Sequence, residues 1–174
     1  MRKALALLAA TAALIAASAT LAAAATITAS SGGTIVALIR SLGFEAPATG
    51  LFLCDLTLTG TLARGPIALP GAIGSIRSAR TSECSFGHSA VASGLPWTIT
   101  GQTALACPSE STGVLATLPA TFTLDGVLTG TGELGVLFAS ASSAFVVLLS
   151  RLSNSVVVLG RSGIYSQVQV FRCE

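Results

Sequence analysis

The sequence predicts a mainly β protein, an antiparallel β-sandwich or barrel of about eight to ten short strands. From residue 51 onward, short runs of apolar and β-branched residues alternate with polar residues, which is the period of a strand buried on one face. Glycine, proline, serine and asparagine separate these runs, as turns separate strands. All four cysteines follow the N-terminal apolar segment, a distribution typical of an exported domain with disulfide bonds.

Residues 1–25 have the features of a secretory signal peptide. Arg2 and Lys3 precede an apolar run that ends near residue 19, and Ala23 and Ala25 satisfy the small-residue rule for cleavage. We therefore predict cleavage near Ala25 and a secreted, extracellular protein. The alternative is an uncleaved membrane anchor, which is disfavoured because a transmembrane helix needs about 20 strongly apolar residues.

The charge pattern restricts the class of partner. Nine basic residues less Arg2 and Lys3 leave seven arginines against seven acidic residues, and charged residues are only 9% of the chain. The arginines form no run or stripe, so we do not expect a nucleic-acid partner. A low net charge gives little protection against association. The partner is unknown, and self-association or contact with the cell envelope are the interactions we consider.

Residues 26–50 are predicted to form an N-terminal extension before a β-domain over 51–174. Within the extension, Ile35, Leu38, Ile39 and Leu42 recur at helical spacing. This spacing favours a short helix near residues 33–44 that covers one end of the β core.

The β-domain divides into strands at its turn-forming residues. Phe52, Cys54 and Leu56 occupy one phase of the first strand, while Asp55 and Thr57 occupy the other. Turns are expected at 64–66, 69–71, 93–94, 130–132, 153–154 and 162–163. The predicted strands are 51–63, 72–80, 86–92, 97–106, 120–129, 133–140, 143–150, 155–160 and 163–172.

Residues 134–150 carry no charge and allow two interpretations. The serine-rich centre, 140–143, reads as a turn between two buried strands. The alternative is a membrane segment, although the run is short for a transmembrane helix, which needs about 20 apolar residues.

The four cysteines are expected to form two disulfides. If strands 51–63 and 72–80 form a hairpin about the turn after residue 68, Cys54 faces Cys84, which leaves Cys107 to pair with Cys173. Other connectivities remain open, because four cysteines can pair in three ways. Zinc is disfavoured because the cysteine spacing does not match zinc motifs and the chain has one histidine.

Gly87-His88-Ser89 opens like the nucleophile elbow G-x-S-x-G of lipases and esterases. The fifth position is Val91, and the single histidine is the neighbour of the serine, where it cannot be the base of a Ser-His-Asp triad. We expect no catalytic, cofactor-binding or metal residues and no cofactor. His88 is expected to face solvent or to be hydrogen-bonded within a strand. Paired carboxylates of a hydrolase remain an alternative, drawn from Glu83, Glu110, Asp125 and Glu133.

Trp97 is the only tryptophan, and it follows Leu95-Pro96 at the entry to a strand. A buried core position is favoured for this side chain. The alternative is a binding surface formed by its indole.

The order of the features between residues 51 and 100 resembles a loose group of small secreted proteins of unknown function from high-GC bacteria. The resemblance is carried by LCDLTLTGTL with Cys54, by GAIGSIRSARTSEC with Cys84, and by GLPWTI. It implies an exported β-domain and brings no catalytic residues.

The sequence therefore favours a secreted, disulfide-stapled β-domain with a non-enzymatic structural or binding role at or outside the cell surface. A secreted hydrolase that uses carboxylates is one alternative. A β-barrel that binds an apolar ligand or a membrane is another.

Overall fold

The computed structural model describes residues 26–29, 32–105, 113–139, 144–165 and 171–173. Over these residues the regular structure is β-strand, apart from 3₁₀ turns at Ser85–Gly87 and Ser153–Ser155. The strands are β1 Thr26–Ala29, β2 Gly33–Ala46, β3 Gly50–Leu62, β4 Gly65–Ala68, β5 Gly71–Ser82, β6 Ala90–Ser93, β7 Trp97–Leu105, β8 Gly113–Leu124, β9 Leu128–Ala139, β10 Ala144–Val147, β11 Ser150–Arg151, β12 Val157–Val158, β13 Arg161–Tyr165 and β14 Phe171–Cys173.

Eight of the described strands close into an antiparallel barrel. Their order is β2-β13-β10-β9-β8-β7-β5-β3, and β3 pairs with β2 to complete the circle. Closure removes the exposed strand edges that an open sheet would leave. The prediction of a mainly β fold is confirmed, and of the two architectures left open by the sequence the structure has the barrel.

The remaining described strands flank this barrel. β1 lies between β4 and β14 in a three-stranded sheet. β6 pairs with the end of β8, and β12 pairs with the end of β2 and with β11. β6, β11 and β12 therefore extend the sheet at one end of the barrel, where β2 and β8 end.

The interior of the described barrel is filled with apolar side chains. Alternate residues of β3 and β8 point inward and are almost completely buried, and in β8 the pattern runs without interruption from Val114 to Leu124. Phe122 packs edge-on against Phe44 and Trp97, with ring centroids 5.1 and 5.6 Å apart. An eight-stranded barrel has an interior that side chains just fill, so the barrel core has the character of a packed protein core.

The expected helix near residues 33–44 is wrong, because this segment is part of strand β2. Gly33 to Ala46 pairs with β3 along its whole length, and the pairing shifts at a bulge between Ile39 and Leu42. Ile39 and Leu42 both face the interior, although they are three positions apart. The bulge thus places apolar residues at helical spacing within a strand. The segment is a wall of the barrel and not an extension before it.

The strand predicted over 120–129 is also wrong, because the chain reverses at residues 125–127. Asp125 and Gly126 have φ values of 51° and 71°, which Asp-Gly accommodates in tight hairpins. The glycines predicted as a turn lie inside β9. A Cβ on Gly130 would be 2.5 Å from Cβ of Val156, so this glycine allows the 150–158 segment to pack closely on β9.

Other strand boundaries differ less. The segment predicted as strand 86–92 begins with a 3₁₀ turn, and its strand is β6 from Ala90. The two strands predicted within 134–150 are β9 and β10, which pair with Ala139 opposite Ala144. In the described part of the chain, no helix is long and apolar enough to cross a membrane.

Cys54 and Cys84 form a disulfide, as the sequence predicted. The pairing of β3 with β5 places Asp55 opposite Ser82, which brings the neighbouring cysteines together. Cys173 lies in β14, but Cys107 lies outside the described residues. The pairing of these two cysteines therefore stays a prediction.

Candidate functional site

One end of the barrel, here called the loop end, carries most of the described irregular structure. The β2–β3 turn at 47–49, the β8–β9 turn at 125–127, and the segments 83–89 and 148–160 all lie there, since antiparallel strands bring every second connection to the same end. Binding residues are disproportionately found on loops that a rigid scaffold positions. The loop end is therefore the candidate location of a functional site.

Backbone conformations that favour glycine concentrate at the loop end. Among the described residues, the non-glycine positions with positive φ are Ser41, Glu83, Phe86, Asp125, Asn154 and Ser155. All but Ser41 lie in the loop-end turns and segments. Such conformations cost roughly 1–3 kcal/mol each and persist only where surrounding contacts impose them.

The contact between His88 and Asp125 joins segment 83–89 to the β8–β9 turn. His88 Nδ1 lies 2.8 Å from Asp125 Oδ2, while the backbone N–H of Ser89 donates to Asp125 Oδ1 at 2.9 Å. The backbone N–H of Asp125 donates in turn to the carbonyl of Ser89 at 2.9 Å. The hydrogen bond from Ser89 and the contact with His88 hold the pKa of the Asp125 carboxyl below its ordinary value.

Segment 83–89 is fastened to β3 as well. The disulfide ties Cys84 to Cys54, and the backbone N–H of Leu53 donates to Ser85 Oγ at 3.0 Å. The His88 ring stacks on Phe52, with centroids 4.7 Å apart. The segment is therefore held by covalent, polar and aromatic contacts at successive positions.

The fastened loops expose large apolar side chains. Phe86 is 91% exposed and Val127 is 80% exposed. The outward-facing Leu51, Leu53 and Val91 are exposed on the adjoining strands β3 and β6. We call these five residues the apolar tip. Thr81 Oγ donates to the carbonyl of Ala90 and fixes β6 against β5, so Val91 also projects from a constrained strand.

Trp97 does not contribute to a surface. Its side chain is completely buried, and Nε1 donates to the carbonyl of Ser93 at 2.9 Å. The core position favoured by the sequence is correct, and the alternative of a binding surface at Trp97 is wrong. The indole fills the barrel interior because Trp97 begins β7 on its inward-facing phase.

The carboxylates considered for a hydrolase take separate positions. Asp125 is engaged with His88 and Ser89, Glu83 is exposed in segment 83–89, and Glu133 is exposed on the outer face of β9. Glu110 lies outside the described residues. Within the described ranges, no three His, Cys, Asp or Glu side chains gather in a group that could hold a metal ion.

A second feature of the loop end is an open depression of about 620 Å³ on the outer surface. It lies over β2, β12 and β11, and it adjoins the apolar tip at Leu51, which lies opposite Glu45 on β3. Its lining residues are Glu45, Ala46, Pro47, Gly50, Leu149, Arg151, Ser155, Val157 and Leu159.

No protein-family model, curated protein or solved structure matches this chain. Its function must therefore be inferred from the chemistry of the loop end.

The sequence drew attention to His88 but gave no indication that it contacts Asp125, and it gave no indication of the apolar tip. Asp125 is 37 positions from His88 and was considered only as a hydrolase carboxylate. The Asp-Gly pair at 125–126 was the available signal, because such pairs mark hairpin turns. Phe86 and Val127 have no local pattern that distinguishes them from core residues, since their exposure follows from the loops that carry them.

Proposed function

We propose that this protein is an exported, non-enzymatic binding module that docks on an apolar protein surface at or outside the cell surface. The observation that carries the proposal is the exposure of Phe86 and Val127 on two loops that His88 and Asp125 join. Exposed apolar groups are common one at a time, but several at one site are typical of interaction surfaces.

The constrained backbone supports binding over accidental exposure. The disulfide and the hydrogen bonds of segment 83–89 hold Phe86 in place before any partner arrives. A loop whose backbone is already ordered loses little conformational entropy on binding, so more of the contact energy contributes to affinity. Aromatic side chains are also enriched among the residues that dominate interface energies.

A protein partner fits the tip better than a lipid surface. Glu83 is exposed in the same segment as Phe86, and none of the five tip residues is basic. Peripheral membrane binding usually combines apolar insertion with basic residues that attract anionic lipids. The acidic and apolar character of this surface is complementary to an apolar groove with a basic or neutral rim.

Export and a non-enzymatic role have separate support. The disulfide is typical of proteins that fold in oxidising compartments. The His88 ring and the Ser89 backbone N–H each contact one carboxylate oxygen of Asp125, so these groups hold two loops together.

The experiment is co-sedimentation of the mature protein with cell envelopes of the organism that encodes it. We expect binding by the wild type that is lost after the envelopes are treated with protease. Phe86→Ser with Val127→Ser should weaken binding by about tenfold or more. Ile164→Ser is the matched control, because Ile164 is exposed on the barrel wall away from the tip.

Three results would contradict the proposal. These are no wild-type binding, equal binding by the tip variant, and binding to vesicles of envelope lipids that contain no protein. Export is checked separately by N-terminal sequencing of protein from the medium, which should begin at Thr26.

A further inference from the structure

We propose that the depression over β2, β12 and β11 is a self-association surface that takes a second copy of this chain. One row of residues crosses this depression. The register places Glu45 opposite Val157, and Val157 opposite Arg151, on three adjacent strands. Directly opposed residues share a face of the sheet. An acidic, an apolar and a basic side chain therefore stand in line, with the charged residues two strand spacings apart, roughly 9–10 Å.

The two charges of this row are available to a partner. Glu45 and Arg151 are both exposed. The ion pairs found among the described residues are Arg40 with Asp55 and His88 with Asp125, so the row contributes to neither. The floor between them is apolar, formed by Val157 and Leu159.

A row with one acid and one base is complementary to itself. A two-fold axis through Val157 would place Glu45 of each copy beside the partner's Arg151, giving two equivalent ion pairs and a central apolar contact. This is the isologous arrangement of most symmetric dimers. A uniformly charged partner would instead meet one favourable and one unfavourable charge, so charge complementarity selects a second copy.

Leu149 projects from the rim of the depression. Leu149 is 60% exposed at the edge of the depression. In the two-fold arrangement the Leu149 side chain of each copy can enter the depression of the other, which buries apolar area from both sides. The overall balance of seven arginines and seven acidic residues beyond the signal peptide adds no net repulsion between copies.

The surface is also preformed. Ser150 Oγ accepts from the backbone N–H of Gly135 and donates to the carbonyl of Leu148, each at 2.9 Å. The backbone N–H of Leu159 donates to the carbonyl of Gly43 at 2.9 Å. A Cβ on Gly43 would lie 2.8 Å from Leu159 Cδ1, so this glycine lets the covering segment lie directly on β2.

The test is a charge reversal followed by sedimentation velocity and light scattering of the mature chain. We expect the wild type to dimerise at concentrations on the order of 100 µM and to dissociate with rising salt. Glu45→Arg and Arg151→Glu should each raise the dimer dissociation constant by about tenfold or more, because like charges then face each other. The double reversal, Glu45→Arg with Arg151→Glu, should restore the dimer.

The matched control reverses exposed charges elsewhere on the barrel wall, Arg80→Glu on β5 and Glu133→Arg on β9. These variants should associate like the wild type. A monomeric wild type over the whole concentration range would overturn the proposal, as would dimers that persist in the single reversals or a double reversal that stays monomeric. Because all four positions are exposed, circular dichroism should report the same fold in every variant.

This inference is independent of the proposed function. The self-association row meets the apolar tip only at Leu51, which lies opposite Glu45, and the tip variant changes Phe86 and Val127 instead. Loss of envelope binding in the tip variant and loss of dimers in the Glu45 variant are therefore separate outcomes.

Discussion

The Nδ1 atom of His88 lies 2.8 Å from Oδ2 of Asp125 and joins two loops that are 37 residues apart in the chain. Ser89 strengthens the junction through hydrogen bonds in both directions. Gly87-His88-Ser89, which resembles a nucleophile elbow in sequence, therefore has a structural role in this fold. The histidine and the serine backbone hold a hairpin turn in place.

Replacing Asp125 with Asn should reduce the loss in the free energy of unfolding that the wild type shows as the pH falls into the acid range. The folded pKa of Asp125 is lowered from 3.8, so the unfolded chain binds the proton more tightly. The contribution of this carboxylate is present above about pH 3.8 and is lost as pH falls from there through the folded pKa. Urea unfolding between pH 7 and pH 2.5 measures this difference. Glu133→Gln is the control, and an Asp125→Asn profile parallel to that of wild type would refute the expectation.

Removing the disulfide with Cys54→Ala and Cys84→Ala should lower the free energy of unfolding by about 2–4 kcal/mol. The bridge closes a loop between residues 30 positions apart and so restricts the unfolded chain. Urea unfolding of the double variant gives the value. An unfolding midpoint equal to that of wild type would contradict the expected role of the bridge.

Peptide mapping under non-reducing conditions tests the pairing of the cysteines. We expect one cross-linked fragment that contains Cys54 and Cys84 and another that contains Cys107 and Cys173. Alkylation without reductant should leave all four cysteines unmodified, because none has a free thiol. Modification of Cys107 or Cys173 would rule out the second bridge.

Gly130→Ala should destabilise the protein by about 1–3 kcal/mol through overpacking. The added Cβ would lie 2.5 Å from Cβ of Val156, inside van der Waals contact. Gly135→Ala in the same strand is the matched control, because its Cβ would meet its nearest neighbours, atoms of Leu148, at 3.4 Å. Thermal unfolding of both variants measures the difference, and equal midpoints would show that the 150–158 segment can move aside.

Trp97 should report on the core by fluorescence. Because it is the only tryptophan and is completely buried, emission of the folded protein should be blue-shifted and protected from iodide. Unfolding in urea should shift the emission to longer wavelengths and expose the indole to the quencher. Efficient iodide quenching of the folded protein would place the indole at the surface instead.

Strand periodicity explains which parts of the fold could be predicted from sequence. In β3 every second residue from Phe52 to Leu62 is buried, and the limits of this strand were predicted to within two residues. The same reasoning failed for β2, where the bulge between Ile39 and Leu42 changes the phase of the alternation. It failed for β8 and β9 because the turn at Asp125 is followed by glycines that serve close packing. A local pattern cannot distinguish these two uses of glycine.

The sequence by itself determined the β class and favoured the pairing of Cys54 with Cys84, which the structure confirms, because alternation and hairpin register are local properties of the chain. The tertiary structure decided that the sheet closes as a barrel, that Trp97 is buried, and that His88 meets Asp125. It also decided which apolar side chains remain exposed at Phe86 and Val127 and which charges share a row at Glu45 and Arg151. These relationships join strands that are distant in the chain, and they arise only when the barrel closes and brings its loops to one end.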